Sequence, residues 1–256
     1  MTGIVNYRYT CSVPETAAPS PAPATAPDAA SDAAPDAVDP ALIATINARF
    51  DIHRDPSQMV QWLVETFPLQ RLVVASAMTS DVVLIDVVAS VAPGIEVLFL
   101  DTGYHFPDTL ATVVAVRERY PVKLVVTPAP PIGDEQYLSD PDGCCHLRKV
   151  VPLEQGLAGR LGWISGVRRS DSPVRADTPF VHLDTRGIVK LNPLAAWTDD
   201  DLATYATLHR VPLNPLLDQG YPSIGCWPCT RRPVEGEDPR AGRWSAHAKT
   251  ECGLHL

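Results

Sequence analysis

Between Arg71 and Gly166, short apolar runs alternate with longer segments whose apolar residues recur at helical spacing. No other feature of the chain limits its fold as tightly. Arg71–Ser76, Ile95–Leu100, Val122–Thr127 and Trp163–Gly166 have the length and apolar character of strands buried on both faces. Asp81–Val91 and Asp108–Tyr120 read as helices between them, the first with Ser80 placed as its N-cap. A strand, a helix and another strand in succession return the chain to one sheet in parallel, so the pattern predicts an α/β protein with a doubly wound, mostly parallel sheet. Ligands of such sheets bind beyond the C-terminal ends of the strands. Three stretches thereby become candidate site loops: Ser76–Asp81, Asp101–Asp108 and the segment after Gly166.

Two helices, Ala41–Phe50 and Pro56–Phe67, are expected before the first strand. After the fourth, Val181–Leu191 suits a short hairpin turning at Gly187, and Thr198–Arg210 suits a helix. Thr198 would cap that helix, and Asp199, Asp200 and Asp201 would complement the positive end of its dipole. Beyond Val211 the chain is rich in Pro and Gly and reads as ordered loop followed by a terminal arm. Residues 13 to 40 are dominated by Ala, Pro, Ser and Asp and lack the side chains to build a core. The expected organisation is a disordered extension over 1–40, in which Cys11 has no role, a catalytic α/β domain over 41–243 and a mobile arm over 244–256.

A formal net charge of −9 argues against a broad basic face for nucleic acid, though it allows a local basic pocket. No apolar run approaches membrane-spanning length, and the first eleven residues lack the apolar core of a signal peptide. The expectation is a cytoplasmic protein without membrane or nucleic-acid partners, and homo-oligomer formation is left open. Its six cysteines then sit in a reducing compartment, where metal binding or catalysis is favoured over disulfides.

Four of those cysteines form two pairs, Cys144-Cys145 and the C-x-x-C of Cys226 and Cys229. A redox dithiol is expected where a strand feeds a helix, whereas this C-x-x-C follows Gly225 in a Pro-containing loop. Four thiolates suit tetrahedral zinc or an iron–sulfur cluster. Adjacent side chains tend to diverge, which favours the larger cluster over one small ion and leaves a zinc-binding module as an alternative. Cys252 stands apart, fifth from the C-terminus. Prenylation needs the cysteine fourth from the end. The alternatives are an incidental thiol on a frayed tail and a nucleophile on a movable arm.

Three motifs bring these residues together: Cys144-Cys145-His-Leu-Arg148-Lys149, Gly225-Cys226-Trp-Pro-Cys229-Thr-Arg231 and Glu251-Cys252-Gly253-Leu254-His255. With Leu100-Asp-Thr-Gly-Tyr-His-Phe-Pro107, Arg168-Arg-Ser-Asp-Ser172, Asn214-Pro-Leu216, Tyr221-Pro-Ser-Ile-Gly225 and Glu237-Asp-Pro-Arg240-Ala-Gly-Arg243-Trp244, the chain from about residue 45 resembles the iron–sulfur adenylylsulfate (APS) reductases of sulfate assimilation. The resemblance implies the adenine-nucleotide α-hydrolase-like fold. It implies a [4Fe-4S] cluster on Cys144, Cys145, Cys226 and Cys229, with Cys252 as nucleophile and Lys149 between cluster and substrate. It further implies a phosphosulfate side formed by Arg168, Arg169 and Arg175, and substrate contacts from Ser76, Asp81, Leu100, Gly166, Arg240, Arg243 and His255.

The implied substrate is adenosine 5′-phosphosulfate, a mixed anhydride whose sulfur a thiolate attacks in line as AMP departs. Guanidinium groups suit its crowded oxyanions because they bind phosphate and sulfate bidentately. Cys252 has no neighbouring thiol in sequence to resolve an S-sulfonate, so the resolving thiol is expected from thioredoxin, as in the family. Glu251 is expected to oppose thiolate formation at Cys252 until the arm closes over the arginines. One departure concerns the first loop, which reads Ser76-Ala-Met-Thr-Ser-Asp81 without the glycine that usually lets backbone approach phosphate. That disfavours a PP-loop enzyme transferring sulfur to tRNA. The four cluster cysteines favour APS over its 3′-phosphorylated form, PAPS.

Overall fold

The computed structural model describes residues 39–133, 135–245, 247 and 249–254. Residues 1–38, Cys11 among them, and His255 lie outside them, so the expectations placed on those residues have no structural counterpart here, while Pro40, counted with the extension, begins the first helix.

Six strands form one sheet: β1 (Leu72–Ser76), β2 (Glu96–Leu100), β3 (Lys123–Thr127), β4 (Gly162–Ser165), β5 (Val181–Leu183) and β6 (Val189–Leu191). Their order is β3-β2-β1-β4-β6-β5. All neighbours run parallel except β5, which pairs antiparallel with β6 at the edge, Val181 opposite Leu191. The helices are α1 (Pro40–His53), α2 (Pro56–Thr66), α3 (Val82–Val91), α4 (Pro107–Arg119), α5 (Gln136–Ser139), α6 (Pro141–Cys145), α7 (Val151–Leu157) and α8 (Asp199–His209). The four strands, the hairpin and the α8 helix expected from the alternation are all present, within two residues of the expected bounds. Thr198 caps α8 through a reciprocal box with Asp201. Among the described residues, no helix is long and apolar enough to cross a membrane.

Side chains alternate across the sheet as the period of two requires. Leu72 and Val74, Val97 and Phe99, and Ile164 face the larger core, which also holds Phe50, Met59, Leu63 and the apolar residues of α3. Val73, Leu98 and Trp163 face the opposite side, where Leu153 and Leu157 of α7 cover them. Leu254 of the arm packs on this smaller cluster, so the C-terminal segment completes the second layer.

β1 connects through α3 to β2 on one side and is paired with β4 on the other. The sheet changes winding direction between β1 and β4, and the loops that leave these two strands diverge there. This is the switch point at which a crevice opens in a doubly wound sheet.

Candidate active site

A cavity of about 780 Å³ occupies that crevice. Ser76 and Asp81 line it from the loop after β1, Leu100 from the end of β2, and Gly166 and Arg168 from the loop after β4. Lys149, Arg175, Arg240, Arg243 and Cys252 complete it from the far half of the chain. Every described substrate-side residue expected from the sequence therefore reaches one cavity, as does the expected nucleophile.

The loop after β1 does not start its helix as the sequence suggested. Asp81, not Ser80, holds the N-cap position of α3, and its side chain makes no cap bond to the helix. The Asp81 carboxylate turns back instead, accepting hydrogen bonds from Ala77 N at 2.7 Å, Thr79 N at 2.8 Å and Thr79 Oγ1 at 3.1 Å. Ser76 Oγ accepts from Met78 N at 3.1 Å. Three amides that a phosphate-cradling loop would present to a ligand are thus held by the loop's own side chains, which accounts for its working without glycine. Gly166 faces this loop closely: a Cβ there would lie 2.7 Å from that of Asp81. Any larger residue would push the β1 and β4 loops apart.

The arginines differ in how fully they are engaged. Arg168 is buried; its Nε and Nη2 hold Asp171 and its Nη2 also holds Asp199 at 2.7 Å. Its buried Nη1 has no hydrogen-bond partner among the described residues. Arg243 lies between the Trp244 ring, 4.4 Å from its guanidinium, and the backbone at Gly225, where a Cβ would collide with that guanidinium. One of its terminal nitrogens reaches Ile224 O at 2.9 Å and Ser223 Oγ at 3.2 Å, while its Nε has no partner among the described residues. Burial and the neighbouring Arg240 lower the pKa of Arg243, with the thiols of Cys252, Cys226 and Cys145 acting against them. Two buried guanidinium groups with a spare donor beside one cavity are what an anion site requires. Arg169 does not join them. Its guanidinium stacks over Phe180 and its Nε bonds Thr178 O, which ties the loop to the large core.

From the C-terminal segment, Glu251, Cys252 and Leu254 line the cavity. Lys249 pairs with Asp142 on α6, and Arg240 donates to Thr250 O at 3.0 Å. Glu251 is clamped by Arg175, with Nε at 3.0 Å from one carboxylate oxygen and Nη2 at 2.7 Å from the other. Burial raises the Glu251 pKa, but the Arg175 and Arg240 charges and the Ser172 hydroxyl outweigh it and hold it below the ordinary carboxylate range. Glu251 was expected to oppose a Cys252 thiolate until the arm lay over the arginines; here its carboxylate is paired with Arg175, with Arg240 3.5 Å away. Cys252 itself faces Lys149, Arg175 and Arg243 electrostatically.

The four paired cysteines line a second, smaller pocket. Cys144 and Cys145 end α6, and the chain then makes a π-helical turn over His146–Val150 before α7. Trp227 and Cys229 lie in a single 3₁₀ turn after Cys226, with no strand feeding a helix there. Tyr104 and Tyr137 line the pocket, and their rings pack edge-to-face or tilted with each other and with Trp227, with centroids 5.3 to 6.4 Å apart. Arg148 hydrogen-bonds Cys144 and also donates to the carbonyls of Thr102, Pro130 and Pro131. The Cys226 thiol donates to Thr102 Oγ1 at 3.3 Å. All five described cysteines are free thiols. No three His, Cys, Asp or Glu side chains among the described residues close on a single metal ion. Lys149, Cys226, Arg243 and Trp244 line both pockets and form the wall between them. Burial works to lower the Lys149 pKa, but the charges of Cys226, Cys252 and Cys145 outweigh it and raise it.

The family model for the phosphoadenosine phosphosulfate reductase domain matches residues 71–232. The chain belongs to this family. Within it, the chain is 50% identical over 208 residues to the adenosine 5′-phosphosulfate reductase of Mycobacteroides abscessus, covering 77% of this chain and 86% of that protein. It is 51% identical over 192 residues to the enzyme of the same name from Mycobacterium tuberculosis, covering 72% of this chain and 75% of that protein. Among solved structures, the phosphoadenylyl-sulfate (PAPS) reductase from Candida auris, a phosphate complex, aligns with a TM-score of 0.65 and 28% identity over 74% of this chain and 96% of that one. An FMN adenylyltransferase from Candida glabrata aligns with a TM-score of 0.53 at 12% identity, over 84% of this chain and 78% of that chain, and shares the fold alone.

The sequence pointed to most of these residues but missed three contributions. Arg148 stood in the double-cysteine motif without a role, Asp142 was unremarked, and Asp81 was expected to meet substrate rather than hold its own loop. Only for Asp81 was there a local signal, since an acidic side chain a few residues after a strand end, here five, can fold back on the intervening amides.

Proposed function

We propose that this chain reduces adenosine 5′-phosphosulfate to sulfite and AMP with electrons from thioredoxin, as a cytoplasmic enzyme whose arm thiol needs a reducing compartment. One observation carries the reading: Cys252 lies on a strap across the same cavity that Arg168, Arg175, Arg240, Arg243 and Lys149 line. The names of its relatives point to the same reaction.

The nucleotide enters at the C-terminal ends of β1, β2 and β4, between the loops carrying Ser76, Leu100 and Gly166. Arg168 and Arg243 offer their spare donors to phosphosulfate oxygens, and Arg240 adds charge from the arm side. These groups stabilise the charge that passes to AMP as it leaves. The Cys252 thiolate, sharing the field of Lys149 and Arg243, attacks the sulfate sulfur. An S–S bond forms, the sulfur–oxygen bond of the anhydride breaks, and AMP carries away the electron pair. A thioredoxin thiolate then attacks Cys252 Sγ, releasing sulfite and leaving a mixed disulfide. The second thioredoxin thiol displaces Cys252 as its thiolate and leaves oxidised thioredoxin. Residues 244–256 serve as the arm in this scheme, with His255 the remaining candidate on it, and residues 41–243 as the catalytic body behind an N-terminal extension.

Cys144, Cys145, Cys226 and Cys229 would hold a [4Fe-4S] cluster: the four thiols line one pocket and supply the all-cysteine donor set such a group takes. Such a cluster would supply a charged support beside Lys149 and Arg243, which line the same pocket.

Incubation of the purified protein with adenosine 5′-phosphosulfate in the absence of thioredoxin, followed by peptide mass spectrometry, tests the reading. A sulfonate adduct on Cys252 that thioredoxin removes as sulfite is expected. An active protein with no adduct at Cys252 would overturn the mechanism, and faster turnover of the 3′-phosphorylated nucleotide would overturn the substrate assignment.

A further inference from the structure

Arg175 is placed to hold an anion, and it already holds one. Its guanidinium grips both oxygens of Glu251 and a third donor reaches Asp171 at 3.1 Å. Ser172 Oγ adds a hydrogen bond to Glu251 at 3.2 Å, and an Arg240 nitrogen stands 3.5 Å away. The pair is well buried, with side-chain exposures of 14% for Arg175 and 11% for Glu251. A planar guanidinium presents the same two parallel donors to a carboxylate, a phosphate or a sulfonate. Glu251 immediately precedes Cys252, so whatever seats this carboxylate also seats the thiol.

We infer that Glu251 is a positioning residue that docks the arm by occupying the anion site of Arg175, Ser172 and Arg240, and that the substrate's sulfonate displaces it from that site. The inference rests on the cavity being a sulfonucleotide site. The two uses of Arg175 exclude one another, because one guanidinium edge cannot grip two anions and a second anion beside Glu251 would meet its repulsion. Arg168 and Arg243 keep a spare donor each, whereas the cavity-facing edge of Arg175 is taken. Exchange at Arg175 need not release the arm. Leu254 remains packed on the Trp163 cluster, Thr250 O on Arg240, and Lys249 on Asp142. Glu251 can therefore yield and loosen Cys252 while the flanking contacts keep the arm tethered beside the cavity.

Two measurements on the full-length holoprotein test this. The first needs no nucleotide: the thiolate-corrected rate of Cys252 alkylation by iodoacetamide. Glu251→Gln and, independently, Arg175→Gln should each raise it about tenfold, since each removes the same charge-assisted pair, while Glu251→Asp should restore most of the protection. Rates equal to wild type in both variants would overturn the docking role. The second is binding in a Cys252→Ser background, where adenosine 5′-phosphosulfate cannot react. Glu251→Gln should tighten that nucleotide about tenfold and leave AMP, which has no sulfonate, within twofold. An unchanged affinity, or an equal change for AMP, would overturn the exchange. Failure of adenosine 5′-phosphosulfate to bind the Cys252→Ser protein at all would sink the functional reading instead, and the alkylation result would stand apart from it.

Discussion

Two carboxylates sit in anion-binding surroundings on opposite sides of one cavity, and they are held in opposite ways. Asp81 is bonded to amides two and four residues before it in its own loop. Glu251 is bonded to Arg175, 76 residues away in sequence. A local bond closes a small ring of backbone and forms whenever the turn forms, so Asp81 belongs to the folded loop. A bond between an arm and a distant guanidinium can break without unfolding anything, so Glu251 belongs to a movable part. The same chemical group acts as mortar in one place and as a latch in the other.

The largest expected effect lies on the arm. Replacing Cys252 by Ala should lower turnover by on the order of 10⁴-fold while leaving nucleotide affinity nearly intact, measured by steady-state kinetics and calorimetry. Residual activity within tenfold of wild type would mean that the arm only covers the site. Next comes the wall between the pockets. Lys149→Ala should slow S-sulfonate formation roughly 100-fold at unchanged iron and sulfide content, read by quenched-flow mass spectrometry. Loss of iron with normal chemistry in the remaining loaded fraction would assign Lys149 to assembly instead.

The mortar and the latch are separated by their effects on stability. Asp81→Ala strips acceptors from two loop amides and should cost about 2 kcal/mol in chemical denaturation. Glu251→Gln should cost less than about 0.5 kcal/mol, because the arm, not the body, is loosened. Equal losses would show that the arm is as integral to the fold as the loop.

The smallest expected effect is a pH dependence from beneath the arm. Lys190 is buried over the Trp163 ring at 4.5 Å, and burial pulls its pKa down to about 8 from the ordinary 10.5. Between those values the unfolded chain binds more protons than the folded one, so stability should rise with pH across the window. Lys190→Met should remove a rise on the order of 1 kcal/mol, seen by denaturation at intervals from pH 7 to 10.5. Parallel profiles for the two proteins would show that Lys190 stays charged in the fold.

The sheet and its crevice were legible in the sequence because they rest on local signals. Alternating apolar runs fix strand and helix, and a parallel sheet fixes where its loops gather. The cysteine pairs were legible because their spacing is itself the chemistry. The segment from Gln136 to Leu157 was not, since its helices are short, interrupted by Pro141, Gly143 and Pro152, and carry no sustained period. The particular partner of Glu251 was not legible for another reason. Its nearest charge in sequence is Lys249, but the partner that sets its behaviour is Arg175, and only the folded chain brings the two together. Lys190 would pass for a solvated residue of a hairpin, and nothing local marks it as buried.

The π-helical turn at His146–Val150 sets a limit on how the chain can vary across generations. It places Arg148, buried among the carbonyls of Thr102 and Pro131, on one side and Lys149, lining both pockets, on the other. A residue lost or gained in a helix rotates everything beyond it by about 100°. A one-residue deletion that restored ordinary helical pitch here would turn the following segment against the sheet, or swing Lys149 away from the wall it forms. Descendants of this sequence can exchange side chains around the cysteines more readily than they can change the number of residues between Cys145 and Leu153.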